Sequence, residues 1–226
     1  MYKIALLLLF SLPVFAGFFP TVIHTSVTSA SGKALTLHTP FPLDGMSGVV
    51  IHDYGNGLQA VTAYIEQEHP KKAKIIDRDI IHHEEIPGIK TAVKKGDRVI
   101  GGYLYHTVML LAPDADTYTH ITSSYSKSWI HPDLFAIYLS KRGEAFPTRE
   151  NLAAFAKDYQ IGLIAVVRKG TLILLDPISK KIIAEKSLKD LPAKAQFPFY
   201  MHFEEIRTGW FSQHGSGDYY QTMEAL

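Results

Sequence analysis

Alternating apolar and polar positions in the first half of the chain predict short antiparallel strands. The clearest pair is Val49–Asp53 and Leu58–Ile65, which flank a gap that contains Asn56-Gly57. Asn and Gly both tolerate positive φ, so this dipeptide favours a tight hairpin turn between the two strands. Similar alternation at Thr25–Thr28 and Lys33–His38 predicts a second strand pair.

The strand pattern continues as far as Pro113. Turn residues, including Lys94-Lys95-Gly96-Asp97, separate its segments. The segments are Ala73–His82, Ile86–Val93, Arg98–Leu104 and Thr107–Ala112. Gly101-Gly102 lies inside one of them, which is typical of a bulge or of a sharp bend that closes a small barrel. Residues 17–113 are therefore expected to form an antiparallel sheet or small barrel.

The spacing of apolar residues changes from strand-like to helical after Pro113. Asp114 is a candidate N-cap for a helix over Ala115–Tyr125, and Pro132 is expected to start a second helix that runs through Leu139. Thr148 is expected to start a third helix. Asn151 takes the place of the Glu or Gln of a full capping box there.

A three-strand meander follows this helical middle segment. The strands are predicted at Ile161–Val167, Thr171–Leu175 and Ile182–Lys186, with Met201–Ile206 as one more strand or a short helix. Residues 114–226 thus form an α+β region, expected to pack with residues 17–113 as one compact unit of the α+β class. The tail is rich in aromatic residues: Phe197, Phe199, Tyr200, Phe203, Trp210, Phe211, Tyr219 and Tyr220.

The first 16 residues have the layout of a secretory signal peptide. Lys3 precedes an apolar run, and Val14 and Ala16 occupy the −3 and −1 positions of a cleavage site. The alternative is a membrane anchor, but a spanning helix needs about 20 apolar residues, and Pro13 interrupts the run. We therefore expect export, to the periplasm, the outer membrane or the cell surface.

The charge and cysteine content of the chain exclude several classes of function. Removal of Lys3 with the signal peptide leaves 23 − 1 = 22 basic residues against 22 acidic ones. A neutral chain lacks the electrostatic footprint of a nucleic-acid-binding or anionic-membrane-binding protein. The sequence has no cysteine, which excludes thiol catalysis and cysteine-ligated metals. No later segment is long and apolar enough to predict a transmembrane helix.

Three groups of residues are candidates for catalytic or metal-binding chemistry. His82-His83-Glu84-Glu85 offers four metal donors, but neighbours on an extended segment point to opposite faces, so a solvated loop is the preferred interpretation over zinc or nickel capture. His52 and Asp53 are two of the three residue types of a hydrolase triad, but the sequence has no Gly-x-Ser-x-Gly elbow to supply the serine. Glu204-Glu205 are sequence neighbours and not the convergent pair of a glycosidase.

One further residue, Trp129, has a structural interpretation. Trp129, which precedes Ile130-His131-Pro132, is interpreted as a core residue at the packed start of a helix. We predict no catalytic, cofactor-binding or metal-binding residues, and no cofactor.

Three lysine pairs are the candidate partner-binding residues. They fall in predicted turns or loops, where side chains are exposed: Lys71, Lys72, Lys94, Lys95, Lys180 and Lys181. Ordinary solvation at strand ends is the alternative for any single pair. An ammonium group on a long apolar stem fits a slot that has aromatic walls and a carboxylate at its base. Such lysines are therefore suitable ligands for a lysine-recognising protein.

Four segments carry a resemblance to a known family. They are "FPLDGMSGVVIHDYGNGLQAVTAYIEQ", "VKKGDRVIGGYLYHTVMLLAP", "SWIHPDLFAIYLSKRGEAFPTRENLAAFAK" and "LLDPISKKIIAEK". The chain resembles the N-terminal domain of a bacterial plasminogen-binding surface protein, from about Phe18 to Tyr220. The resemblance implies an exported, outer-membrane-associated or surface protein that captures host plasminogen through lysine recognition by kringle domains. It implies no catalysis by this chain.

Two hypotheses of different classes follow. The first is a non-enzymatic capture module of the cell surface or envelope, with host plasminogen as the ligand and clustered exposed lysines as its mark. The second is a periplasmic structural or envelope-assembly factor, whose aromatic tail would form a continuous exposed patch against other envelope proteins. A hydrolase or metal-dependent enzyme is the least favoured interpretation, since it needs a deep pocket with convergent His and carboxylate groups.

Overall fold

The computed structural model describes residues 17–77, 91–203 and 217–226. Six antiparallel strands form a closed barrel in the order β1-β2-β5-β4-β3-β6. The strands are β1 (Ile23–Ser31), β2 (Ala34–Leu37), β3 (Ser47–Gly55), β4 (Leu58–His69), β5 (Lys72–Asp77) and β6 (Arg98–Gly101). Of the two predicted N-terminal architectures, sheet or barrel, the structure has the barrel.

Two local features that the sequence pointed to have a clear structural role. The turn between β3 and β4 has Asn56 at φ 52° and Gly57 at φ 78°, as the predicted hairpin requires. Gly101 pairs with Gly48 across β3 and β6, and the ring of Phe41 lies over both. A Cβ atom on Gly101 would lie 2.6 Å from that ring, so close packing explains this glycine.

The second sheet has five strands in the order β11-β10-β9-β7-β8. Its strands are β7 (Thr107–Leu111), β8 (Ser128–Ile130), β9 (Leu163–Arg168), β10 (Thr171–Asp176) and β11 (Lys181–Ser187). The predicted meander is present as β9, β10 and β11, which pair antiparallel. β7 and β8 extend it by parallel pairing.

The assignment of Thr107–Ala112 to the N-terminal sheet was wrong. The chain leaves the barrel after β6, and β7 pairs parallel with β9, with Val108 opposite Leu163. Both faces of β7 are buried: Val108 and Leu110 pack toward the barrel, whereas Met109 and Leu111 pack toward the helices. A strand that is apolar on both faces does not reveal its pairing partner, because nothing in its pattern distinguishes the two sheets.

Within the described residues, four short helices complete the α+β fold. They are α1 (Ala115–Ser124), α2 (Asp133–Arg142), α3 (Arg149–Asp158) and α4 (Tyr219–Glu224). Asp114 caps α1 by accepting the N–H of Thr117. Thr148 and Asn151 form the predicted capping box at α3, with reciprocal hydrogen bonds of 2.8 and 3.1 Å. None of the described helices is long and apolar enough to cross a membrane.

The molecule is layered, and the second sheet is its middle layer. One continuous buried cluster joins the barrel interior to one face of the second sheet, through residues such as Val50 and Leu174. A second cluster joins the other face to α2 and α3, through residues such as Phe135 and Phe155. The barrel and the helices therefore both pack on the same sheet.

Several sequence expectations need correction or fall outside the described residues. Thr91–Val93, the described part of one predicted strand, belongs to no strand, and Met201–Phe203 lies in neither a strand nor a helix. Trp129 lies in β8, where its ring packs edge-on against Phe19. The predicted signal peptide, residues 78–82 of one predicted strand and residues 86–90 of another lie outside the described residues.

Candidate functional site

Lys71 and Lys72 lie in the turn that joins β4 to β5. Lys71 has φ 65°, in the left-handed region, and Lys72 is the first residue of β5. Both are exposed. The backbone carbonyl of Lys71 accepts the N–H of Leu37, which ties the turn to the end of β2. The turn therefore presents its two lysines from a fixed backbone.

Lys180 and Lys181 repeat this arrangement in the second sheet. Lys180 has φ 57°, and Lys181 is the first residue of β11. Both are exposed. In each turn, a left-handed lysine is followed by a lysine that starts a strand. The two turns are thus equivalent in local geometry, although they belong to different sheets.

The loop between β2 and β3 brings these two turns to the same side of the molecule. The N–H of Gly45 donates to the carbonyl of Gln67 near the end of β4, and the carbonyl of Gly45 accepts the hydroxyl of Ser179. The side chain of Lys181 packs against Gly45. We call the surface formed by Lys71, Lys72, Lys180 and Lys181 the junction face.

A fully buried carboxylate holds the second of these turns against the barrel. Asp176 Oδ2 accepts the N–H of Ser47 at 2.7 Å and the hydroxyl of Tyr105 at 2.6 Å, and Oδ1 accepts the N–H groups of Ile178 and Ser179. Burial raises the pKa of Asp176, while these hydrogen bonds oppose the rise. Burial, together with the neighbouring Asp176, raises the pKa of Tyr105 well above its usual value.

Acidic side chains lie beside the junction face. Lys74 Nζ lies 2.7 Å from Glu68 and 3.7 Å from Glu66, so its charge is already paired. The hydrogen bond from Lys74 lowers the pKa of Glu68, and the ammonium groups of Lys74 and Lys181 contribute further. Lys72 Nζ donates a long hydrogen bond of 3.4 Å to Thr36.

The ammonium groups of the other three junction-face lysines have no hydrogen bond or ion pair within the described ranges, 17–77, 91–203 and 217–226. These residues are Lys71, Lys180 and Lys181. Their charges are consequently accessible from solvent.

Lys94 and Lys95 are at the opposite end of the barrel. They precede β6, which begins at the end where β3 finishes and β4 starts. Both are exposed, and the turn depends on Asp97, whose Oδ2 accepts the N–H of Lys94 at 2.7 Å. The structure therefore groups two of the three predicted pairs and separates the third.

The arrangement around His52 is not the one a hydrolase triad needs. His52 Nδ1 lies 2.6 Å from Asp97 Oδ1, and not beside the carboxylate of its sequence neighbour. Asp53 Oδ1 instead accepts the N–H of Gly55 and so shapes the β3–β4 turn. Both contacts have a structural role: they fix the end of β3 next to the Lys94 turn.

A further cluster of polar groups was missed by the sequence analysis. His131, Asp133 and His202 bring potential metal-ligand atoms within 4.8 Å of one another. The only sequence signal was the His131-x-Asp133 spacing at the start of α2. His202 is 69 residues beyond Asp133 and follows no motif, so only the fold brings it there.

Tyrosines surround this cluster. The rings of Tyr118 and Tyr200 lie 5.0 and 5.8 Å from the ring of His131. Burial raises the pKa of Tyr118 to about 12, with contributions from Tyr200 and Asp133. Burial also lowers the pKa of His131, so this imidazole is neutral at pH 7.

The described part of the aromatic tail is mostly packed into the protein. Phe199 and Tyr219 are fully buried, and the hydroxyl of Tyr219 donates to Leu111 and Val167. Phe203 is exposed. The tail residues Trp210 and Phe211, together with His82-His83-Glu84-Glu85 and Glu204-Glu205, lie outside the described residues.

Comparison with known proteins identifies the family. The family described as "Plasminogen-binding protein pgbA N-terminal" matches residues 22–226. No curated protein and no solved structure gives a match. The family match covers nearly the whole chain and confirms the resemblance found in the four sequence segments. The chain therefore belongs to this family.

Proposed function

We propose that this member of the plasminogen-binding protein pgbA N-terminal family is an exported, non-enzymatic binding protein that captures host plasminogen through exposed lysines. The observation that supports the proposal is the junction face, where two lysine-bearing turns from different sheets lie on one side of the molecule. The family name supplies the ligand, and the structure supplies a surface with the matching chemistry.

The physical basis is recognition of an ammonium group at the end of an apolar stem. A slot with aromatic walls binds the stem and interacts favourably with the cation, and a carboxylate at its base pairs with the charge. Lys71, Lys180 and Lys181 meet these requirements, since they are exposed and carry no described ion pair. Ordering a long lysine side chain costs up to about 2 kcal/mol of conformational entropy. Because the backbone of each turn is already fixed, binding adds little further entropy cost from the backbone.

The junction face is proposed to contribute more to the affinity for plasminogen than the Lys94-Lys95 turn does. Its four lysines approach from two turns, and a partner that contacts both gains from the second contact without a new association step. Lys94 and Lys95 offer one pair alone at the other end of the barrel. The proposal therefore predicts a hierarchy among the three pairs.

Residues 1–16 are proposed to direct export, which places the mature chain in the periplasm, on the outer membrane or on the cell surface. A plasminogen ligand requires exposure outside the cell, so the proposed function and the proposed export depend on each other. Mass determination of the N-terminus of the protein isolated from cells tests the cleavage after Ala16. An N-terminus that retains residues 1–16 would contradict export by a cleaved signal.

The alternative is a structural or assembly factor of the envelope. It requires a continuous exposed aromatic patch, whereas Phe199 and Tyr219 are buried and Tyr200 and Tyr220 are partly buried. The described aromatic residues therefore favour a role in the core. Envelope proteins would become the leading partners only if plasminogen does not bind.

The test is binding of the purified mature chain, Gly17–Leu226, to immobilised plasminogen, with and without a soluble lysine analogue. The main variant carries Lys71→Asn, Lys72→Gln, Lys180→Asn and Lys181→Gln. Asn is chosen at the two positions with positive φ because it tolerates the left-handed region. The matched control carries Lys94→Gln and Lys95→Gln.

Saturable binding that the analogue abolishes is the expected result for the unmodified chain. The junction-face variant should bind about tenfold more weakly or worse, equivalent to about 1.4 kcal/mol or more, and the control should bind nearly as well as the unmodified chain. Absence of binding by the folded, unmodified chain would overturn the proposed function. Equal loss in both variants would overturn the hierarchy and leave lysine capture intact.

A further inference from the structure

An inference independent of plasminogen binding comes from the cluster of His131, Asp133 and His202. These residues come from two separate parts of the chain. His131 follows β8, Asp133 is the first residue of α2, and His202 lies in the segment that returns over the start of that helix. The side chain of His202 is 63% exposed, whereas those of Asp133 and His131 are 19% and 26% exposed.

The distances between these groups are close to those of a metal site. His202 Nδ1 lies 2.9 Å from Asp133 Oδ2, and His131 Nδ1 lies 3.2 Å from Asp133 Oδ1. Zinc binds imidazole nitrogen and carboxylate oxygen at about 2.0–2.2 Å, so neighbouring ligand atoms in a tetrahedral site are about 3.3 Å apart. The donor atoms of the carboxylate and of each imidazole are therefore already about as close together as the ligands of one ion.

The start of α2 fixes which atom of His131 faces the carboxylate. Nδ1 of His131 lies 3.2 Å from the backbone nitrogen of Asp133 and 3.2 Å from its Oδ1. Nε2 is buried and has no hydrogen-bond partner within the part of the chain that the structure describes. The contacts at Nδ1 thus orient this ring, and Nδ1 is the atom that faces the carboxylate.

The two imidazole rings are stacked, with centroids 4.2 Å apart and an interplanar angle of 15°. An ion bound by both nitrogens must lie near both ring planes, which two stacked parallel rings do not allow. Rotation of one ring is therefore required. His202 is the ring that can rotate, because it is the most exposed of the three, while its N–H still donates to Asp133 Oδ1 at 2.9 Å.

We propose that His131, Asp133 and His202 bind one divalent transition-metal ion, with His202 turning out of the stack to complete the site. Two imidazoles and a carboxylate favour zinc, nickel or copper over calcium and magnesium, which prefer an all-oxygen environment. Three protein ligands leave a fourth tetrahedral position for water or for a donor from another molecule.

Metal binding at this position links the segment after β11 to the start of α2. Without coordination, that link consists of the two contacts between His202 and Asp133. Coordination of the ion by His131 would add a third residue to this connection between the segment after β11 and the start of α2. Because the ion binds the folded state, the melting temperature should rise with the concentration of free ion and continue to rise after the site is saturated.

The experiment is a titration of the mature chain with zinc chloride, followed by calorimetry and thermal unfolding. His202→Gln is the main variant, since an exposed side chain can be replaced without loss of the fold, and His131→Gln is the second. His120→Gln, in an exposed residue of α1, is the matched control. A further variant, His82→Gln with His83→Gln, removes the other histidine pair that could capture zinc.

The expected result is one zinc per chain at this site and a raised melting temperature. Affinity should fall by about tenfold or more in His202→Gln and His131→Gln, and it should be unchanged in His120→Gln and in the His82 and His83 variant. Cobalt binding should give the visible absorption of a tetrahedral site that His202→Gln abolishes. Binding that survives His202→Gln, that disappears with His82 and His83, or that does not occur at all would overturn the proposal.

Discussion

The junction face and the opposite end of the barrel carry the same sequence feature, a lysine pair in a turn, but different contacts hold the turns in place. At the junction face, the turn of Lys180 and Lys181 rests on Asp176, which is fully buried and accepts four hydrogen bonds. At the other end, the turn of Lys94 and Lys95 rests on Asp97, which bonds within its own turn and to His52.

This difference shows that similar turns need not be equally tied to the rest of the molecule. Asp176 links the second sheet to the barrel through Ser47 and Tyr105, whereas the described contacts of Asp97 stay within the barrel. Loss of the first carboxylate should therefore affect the packing of two layers, and loss of the second should affect one strand end.

The largest effect is expected from Asp176→Ala. The change leaves buried donors, including the N–H of Ser47 and the hydroxyl of Tyr105, without an acceptor, so the free energy of unfolding should fall by about 4 kcal/mol. Urea unfolding measures the loss.

A single transition in the unmodified chain would support the proposal that the barrel and the second sheet fold as one unit. Two separate transitions would contradict it.

A smaller loss, of about 2 kcal/mol, is expected from Tyr105→Phe, which removes one hydrogen bond to a buried carboxylate and keeps the ring. The pKa of Tyr105 is raised in the folded state, so its contribution is fully present below pH 10 and is lost as the pH rises above 10. Tyr118, with a pKa of about 12, and Tyr219 act in the same direction.

Urea midpoints measured from pH 8 to pH 11.5 test this pH dependence. The unmodified chain should lose stability above pH 10, and Tyr105→Phe should lose less over the same range. Parallel curves for the two proteins would show that Tyr105 does not titrate with folding.

Asp97→Asn is expected to cost about 1 kcal/mol. The amide keeps the size of the side chain and one acceptor oxygen, but it weakens either the bond from the N–H of Lys94 or the contact with His52. Amide hydrogen exchange should increase near Lys94 and His52 and stay unchanged at Ser47. Exchange that spreads into the second sheet would remove the distinction between the two ends.

The smallest effect is expected from the lysines themselves. Lys71→Asn and Lys180→Asn, at exposed positions with positive φ, should change the free energy of unfolding by less than about 0.5 kcal/mol. The same measurement on Lys94→Gln provides the comparison at the other end. A loss of several kcal/mol in either junction-face variant would mean that these lysines serve the fold and not a partner.

The sequence predicted the features that depend on neighbouring residues. The Asn56-Gly57 turn and the Thr148–Asn151 capping box were recognisable because each is specified within four positions. The α+β class and the meander of β9 to β11 followed from the same local signals. The three-residue strand β8 was too short to produce a pattern.

Features that depend on distant residues were not predictable. Nothing near Asp176 shows that Ser47, 129 residues earlier, donates to it, and the sequence marks it only as a turn residue. His52 was considered with its neighbour Asp53, whereas its actual partner is Asp97. The pairing of β7 with β9 and the approach of His202 to Asp133 have the same origin, since both are set by the packing of layers.

Closure of the barrel also determines where this protein could aggregate. Each of the six described barrel strands pairs on both sides, so none of them is a template for the addition of a strand from another molecule. Within the described residues, open backbone edges are confined to β8 and β11 of the second sheet. β11 carries exposed Lys181, Glu185 and Lys186, and such charges oppose edge-to-edge association. A lysine that attracts a partner protein would thus also keep copies of the chain apart.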